Sequence, residues 1–137
     1  MTRDEFVEFV RSARLGVVAT VSAEGHAEAA LVELAVTGDG EVVFDTKTGA
    51  RKVANIAGNP SVALVVGWDS GVSVQVEGQA EVLSGAEREK YGRVYLEQFP
   101  GARALLDEFA LIRVIPRWLR LYDARPESFQ IMEGPLA

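Results

Sequence analysis

The chain has 137 residues, 48% apolar and 25% charged, with 20 acidic against 14 basic side chains and a formal net charge of −6. That length fits one domain around a single core, and the acidic balance argues against a nucleic-acid binder. Cysteine is absent, which excludes disulfides, thiol catalysis and cysteine metal sites; no apolar run reaches membrane-spanning length, so a soluble cytoplasmic protein is expected.

Thr2 and Glu5 have capping-box spacing, and Phe6, Phe9, Val10 and Ala13 follow at helical intervals, predicting a helix over 3–13. Apolar, β-branched runs predict strands over 15–21, 27–36 and 41–46, separated by turn signals at Ser22-Ala23-Glu24-Gly25 and Thr37-Gly38-Asp39-Gly40. Residues 51–57 read as a helix stopped by Gly58-Asn59-Pro60, with Asn55 on its surface and Asn59 as its C-cap. Strands are predicted over 61–66 and 72–83, the second with Val72, Val74 and Val76 on one face and Ser73, Gln75 and Glu77 on the other. Trp68 is expected to pack at the turn between them. Ser84 with Glu87 suggests a second capping box opening a helix to about Phe99, and Ala102–Phe109 a shorter helix. Strands over 111–115 and 117–123, parted by Pro116, complete the pattern, and the tail from Pro126 has weak signals. Short connections favour antiparallel pairing and tight turns favour a closed barrel: a mainly β, α+β fold of six or seven antiparallel strands, in one domain over 1–137.

The densest chemistry lies in Phe44-Asp45-Thr46-Lys47-Thr48-Gly49-Ala50-Arg51-Lys52. Three cations and two hydroxyls gather where a strand hands over to a helix, with no acid between Lys47 and Lys52. Helix-start amides, hydroxyls and basic side chains can converge there on one phosphate. A solvated basic turn is the plainer alternative. The sole histidine, His26, stands beside a hairpin turn; it cannot build a zinc site alone, and nucleophile-elbow, P-loop and Rossmann signatures are missing. With few reactive groups of its own, an enzyme of this sequence would rely on a bound cofactor. In Arg117–Asp123, alternation sets Trp118, Arg120 and Tyr122 on one face and Leu119 and Leu121 on the other. Such a row covers a planar ring, packs at a subunit contact or forms an ordinary exposed strand face.

Thr46-Lys47-Thr48-Gly49-Ala50-Arg51-Lys52 followed by Asn59-Pro60 and an apolar strand resembles the pyridoxamine 5'-phosphate oxidase-like FMN-binding split-barrel family. Gly16–Val21 with the turn Glu24-Gly25-His26, and Val76-Glu77-Gly78-Gln79-Ala80-Glu81-Val82, are similar to further family segments. The resemblance spans nearly the whole chain and implies a six-stranded antiparallel Greek-key split barrel, a homodimer and two FMN sites at its interface. By position it implies that Arg51 and Lys52 bind the flavin phosphate and that Thr46 and Lys47 lie along the ribityl chain and ring edge. Ser73 and Gln75 fall near a glutamine position, and Tyr122, beside Trp118, near a ring-contacting tryptophan, both supplied by the partner subunit. No arginine occurs in Ala29-Ala30-Leu31-Val32, where oxidase members carry one, and their C-terminal Arg-His pattern is lacking. Vitamin B6 oxidation is therefore not expected. An FMN-dependent oxidoreductase of unknown substrate is implied, with no residue assigned to catalysis and no metal. The alternatives are a 5-deazaflavin-dependent reductase, with Lys47 and Arg103 as extra cations for an acidic tail, and a flavin-binding module without turnover. Some relatives bind haem, for which a chain with one histidine and no cysteine is poorly equipped.

Overall fold

A computed structural model describes residues 1–136. The elements in chain order are α1 (Arg3–Ala13), β1 (Leu15–Val21), β2 (Ala27–Glu33), β3 (Ala35–Val36), β4 (Val42–Lys47), α2 (Arg51–Gly58), β5 (Ser61–Val66), β6 (Val72–Val82), α3 (Gly85–Gln98), β7 (Phe109–Asp123) and β8 (Gln130–Gly134). Neighbouring strands run antiparallel in the order β2-β1-β5-β6-β7-β4-β3, and β8 joins the far half of β7. The two ends of this path, β2 and β3, are consecutive in the chain and joined through Leu34. The sheet therefore curls back on itself into a half-closed, split barrel. The seam lies between β2 and β4, which come close without pairing.

The core fills the barrel with side chains of alternating strand parity: Val18 from β1, Leu64 and Val66 from β5, Val74 and Val76 from β6, and Ile112 and Val114 from β7. The N-terminal helix closes one end with Phe6, Val7 and Val10, and its Thr2–Glu5 capping box forms as the spacing predicts. Burying each such side chain stabilises the fold by roughly 1.5–3 kcal/mol.

The fold departs from the sequence expectation in five places. The predicted strand 27–36 is broken at Leu34, whose amide bonds the Arg14 carbonyl at 2.7 Å instead of a sheet partner, so its last two residues pair with β4. Residues 109–123 form one continuous strand through Pro116. There the register slips by one residue opposite Gly78, and residues 115–118 lie in the gap between the stretches paired with β4 and β8, so the missing N–H leaves no orphan across from it. A Cβ on Gly78 would come within 2.5 Å of the Ile115 carbonyl oxygen, so only glycine lets the strands approach this closely. Residues 102–108 make turns, not a helix, because Arg88 collects their carbonyls: its guanidinium donates to Ala104, Leu106 and Phe109 at 3.4, 2.9 and 3.0 Å. At Ser84 the capping box does not form; Gly85, at φ +59°, turns the helix entry so that the hydroxyl caps nothing. The tail supplies an additional edge strand, β8, whose weak pattern reflects its exposure. Among the described residues the count is therefore eight strands, two of them short or peripheral, around the expected barrel.

Candidate functional site

The strand β4 delivers Thr46 and Lys47 to the rim of the barrel, and a tight turn (Ala50 amide to Lys47 carbonyl, 3.0 Å) reverses the chain into α2. Helix α2 begins at Ala50 without any side-chain cap and carries no acid in its first turn. Its leading amides and the positive end of its dipole are thus left for another acceptor. Arg51 and Lys52 stand on that first turn. Neither Lys47 nor Lys52 forms an ion pair among the described residues.

Two recesses meet at Lys52. The smaller, of about 100 Å³, is lined by Val18, Thr20, Glu28, Ala30, Arg51 and Lys52. The larger, of about 420 Å³, opens along the seam between Leu31, Glu33, Asp45, Thr46, Lys52 and Tyr95. Burial pushes the Asp45 carboxyl above its usual range, although a hydrogen bond with Tyr95 works the other way. Burial first, and the neighbouring Asp45 next, push the Tyr95 hydroxyl up, so it stays protonated and can donate.

Asn55 faces inward, contrary to the surface position expected for it. It is 9% exposed and its Nδ2 donates to Thr20 Oγ1 at 2.9 Å and to Glu28 Oε1 at 2.8 Å. This amide ties α2 to β1 and β2 and holds the first turn of α2 against the small recess. The other oxygen of Glu28 lies 3.1 Å from Arg51 Nη1, so the guanidinium expected to be open to an anion already has a carboxylate beside it. Sequence reading missed Glu28, Asn55 and Thr20. The signal for Glu28 was its parity: it shares the inward face of β2 with Ala30 and Val32.

Of the residues singled out from sequence, Thr46, Lys47, Arg51 and Lys52 come together around the start of α2. Ser73, Gln75, Trp118 and Tyr122 form a second group on the outer face of β6 and β7, where Ser73 pairs with Tyr122, Gln75 with Arg120 and Glu77 with Trp118. The two groups do not meet within one chain. Tyr122 packs edge-on against Phe129, ring centroids 6.0 Å apart. His26 is exposed in the β1–β2 turn, and Asn59 is the C-cap of α2 as expected. Trp68 does not pack into the fold: it is 71% exposed and, with Val17, Leu31 and Val65, lines an apolar hollow on the outer face of β1, β2 and β5.

A profile of the pyridoxamine 5'-phosphate oxidase family matches residues 2–123. The chain belongs to this family. A pyridoxine/pyridoxamine 5'-phosphate oxidase of Bombyx mori is 39% identical over 75 residues, which are 54% of this chain and 29% of that protein. The chain thus matches under a third of that relative's length. Among solved structures, a heme binding protein from Mycobacterium smegmatis superposes with a TM-score of 0.81 at 17% identity, covering 98% of this chain and 58% of that one. A conserved hypothetical protein from Mycobacterium tuberculosis gives 0.77 at 25% identity over 96% of this chain and 91% of that one. The family and the split-barrel fold are therefore established together, and the membership agrees with the resemblance carried by the basic elbow. No helix among the described residues is long and apolar enough to cross a membrane.

Proposed function

We propose that this family member binds FMN in the seam between β2 and β4 and serves as a homodimeric, flavin-dependent oxidoreductase. The observation that carries this reading is Lys52, which lines both a small recess flanked by Arg51 and a larger groove of mixed apolar and polar walls. A phosphate belongs in the first, where an uncapped helix start and two cations converge. A ribityl chain and ring edge belong in the second, beside Thr46. The donor set fits this group: Lys52 and Arg51 for the phosphate, Thr46 for a polyol hydroxyl, Leu31 and Val32 for an apolar ring. When bound, flavin supplies a two-electron hydride carrier; the chain's own residues anchor the phosphate, shape the groove and exclude water.

The dimer reading rests on the outer face. Leu31, Val17 and Val65 are register neighbours across β2, β1 and β5, and Leu31 is 66% exposed. Contiguous apolar surface of this kind marks an interaction site. In a shared site of the kind the resemblance implies, the Ser73, Gln75, Trp118 and Tyr122 group would belong to the partner's half, in keeping with two clusters that do not meet within one chain. The Ala29–Val32 stretch offers no cation to a B6 phosphate, which disfavours that substrate. The 5-deazaflavin alternative is favoured by one feature: Lys47, exposed at the rim, is available to an acidic tail.

The decisive experiment is the visible spectrum of freshly purified protein with equilibrium titration of FMN. Micromolar or tighter FMN binding, weakened in Lys52→Ala, is expected; tight deazaflavin binding with none of FMN overturns the assignment. Sedimentation tests the dimer, and a monomer with intact flavin affinity refutes the shared site.

A further inference from the structure

We infer that Glu28 is an internal anion that competes with the cofactor's phosphate for Arg51 and so limits how much negative charge the cradle accepts. The inference rests on the phosphate reading given above. An ion pair with an exposed arginine is ordinarily weak, and Arg51 is 81% exposed while Glu28 is 18% exposed. Arg51 alone would not hold this carboxylate in place. Asn55 does: the buried amide donates to Glu28 Oε1 at 2.8 Å while anchored to Thr20, leaving Oε2 turned to Arg51 at 3.1 Å. The carboxylate is therefore a fixed wall of the same recess that Arg51 and Lys52 line.

The consequence is electrostatic. Arg51 and Lys52 would together present two positive charges, and Glu28 reduces the sum to one. A phosphate diester carries one negative charge and matches that sum. A terminal phosphate, with nearly two, meets an uncompensated like charge unless Glu28 is displaced. Glu28 thus lowers the affinity of the cradle for a terminal phosphate such as that of FMN without abolishing it.

The test compares wild type with Glu28→Gln, Glu28→Ala and Glu28→Asp, each shown folded by circular dichroism, in titrations with FMN and with riboflavin, which has no phosphate. Glutamine retains an acceptor for Asn55, and alanine gives the same charge change should the glutamine variant fold poorly. Both neutral variants are expected to bind FMN on the order of tenfold more tightly, the effect of removing one nearby like charge from a half-solvated recess. Riboflavin affinity should stay the same, and Glu28→Asp should bring no gain. Equal FMN affinity in wild type and both neutral variants overturns the role of Glu28 while leaving the FMN assignment standing. An equal gain for riboflavin overturns it too, since the phosphate would then be irrelevant. Absence of FMN binding in every variant refutes the cradle itself, and this inference with it.

Discussion

Replacing Asn55 with alanine tests whether the buried amide is the tie that fixes α2 over the barrel. Two hydrogen bonds vanish, one to the Thr20 hydroxyl and one to the Glu28 carboxylate. A neutral bond contributes roughly 0.5–1.5 kcal/mol and one to a charged group roughly 1.5–3 kcal/mol. Thr20, 2% exposed, has nowhere else to turn, whereas Glu28 retains some solvent and Arg51. The expected loss is therefore about 2–3 kcal/mol, toward the lower part of the summed range. A domain of this size unfolds with an entropy of about 0.3 kcal/mol per kelvin, so the midpoint should fall by about 7–10 °C. Thermal unfolding followed by circular dichroism reads this directly, and urea titration should show a lower midpoint with an unchanged slope. Asn55→Asp should be worse than alanine, because it sets a second carboxylate against Glu28. A melting temperature for Asn55→Ala within a degree or two of wild type would refute the reasoning and return Asn55 to the helix surface.

Lys52→Ala should weaken FMN binding by roughly 1.5–3 kcal/mol, measured by flavin fluorescence, and Arg51→Ala by less, since Arg51 is already shared with Glu28. Gly78→Ala should cost roughly 1–3 kcal/mol, because its methyl would strike a backbone carbonyl with no room to give; an unchanged denaturation midpoint would show that the slipped register relaxes freely. Asp45 and Asp123 should respond to pH with opposite signs. Burial holds the folded Asp45 carboxyl above its usual value, so its contribution is complete at low pH and is lost as pH rises through the raised value; Asp45→Asn should stabilise the protein at pH 7 and do little at about pH 3. Arg125, bonded at 2.8 Å, holds Asp123 well below the usual range, so its contribution is present at neutral pH and fades as pH falls through the depressed value. Asp123→Asn should destabilise at pH 7, with the deficit shrinking in strong acid. Denaturant midpoints at pH 7 and about pH 3 check Asp45, and a series carried on into stronger acid checks Asp123.

Periodicity and turn chemistry locate most of the elements to within a residue or two, because α1, β1, α2, β5 and β6 each show one clean period between strong stop signals. Errors arise where a distant group decides the local structure. Nothing between 102 and 108 announces that Arg88, a turn into another helix, will claim its carbonyls. The break at Leu34 depends on the Arg14 carbonyl, and the continuity of β7 through Pro116 depends on a glycine on the neighbouring strand. The same distinction runs through the site. The cations at 47, 51 and 52 declare themselves by local density, whereas Glu28 and Asn55 acquire their meaning only when β2 and α2 are brought together.

Among the described residues, the strand β2 hydrogen-bonds to β1 on one side only, and across the seam its other edge has no ladder partner. Its outward amides should therefore exchange with deuterated solvent far faster than those of β1, which is flanked on both sides. A molecule lodged along that edge would slow them. Mass-spectrometric deuterium uptake over residues 27–33 would then report occupancy for any candidate compound, coloured or not, and without a single substitution.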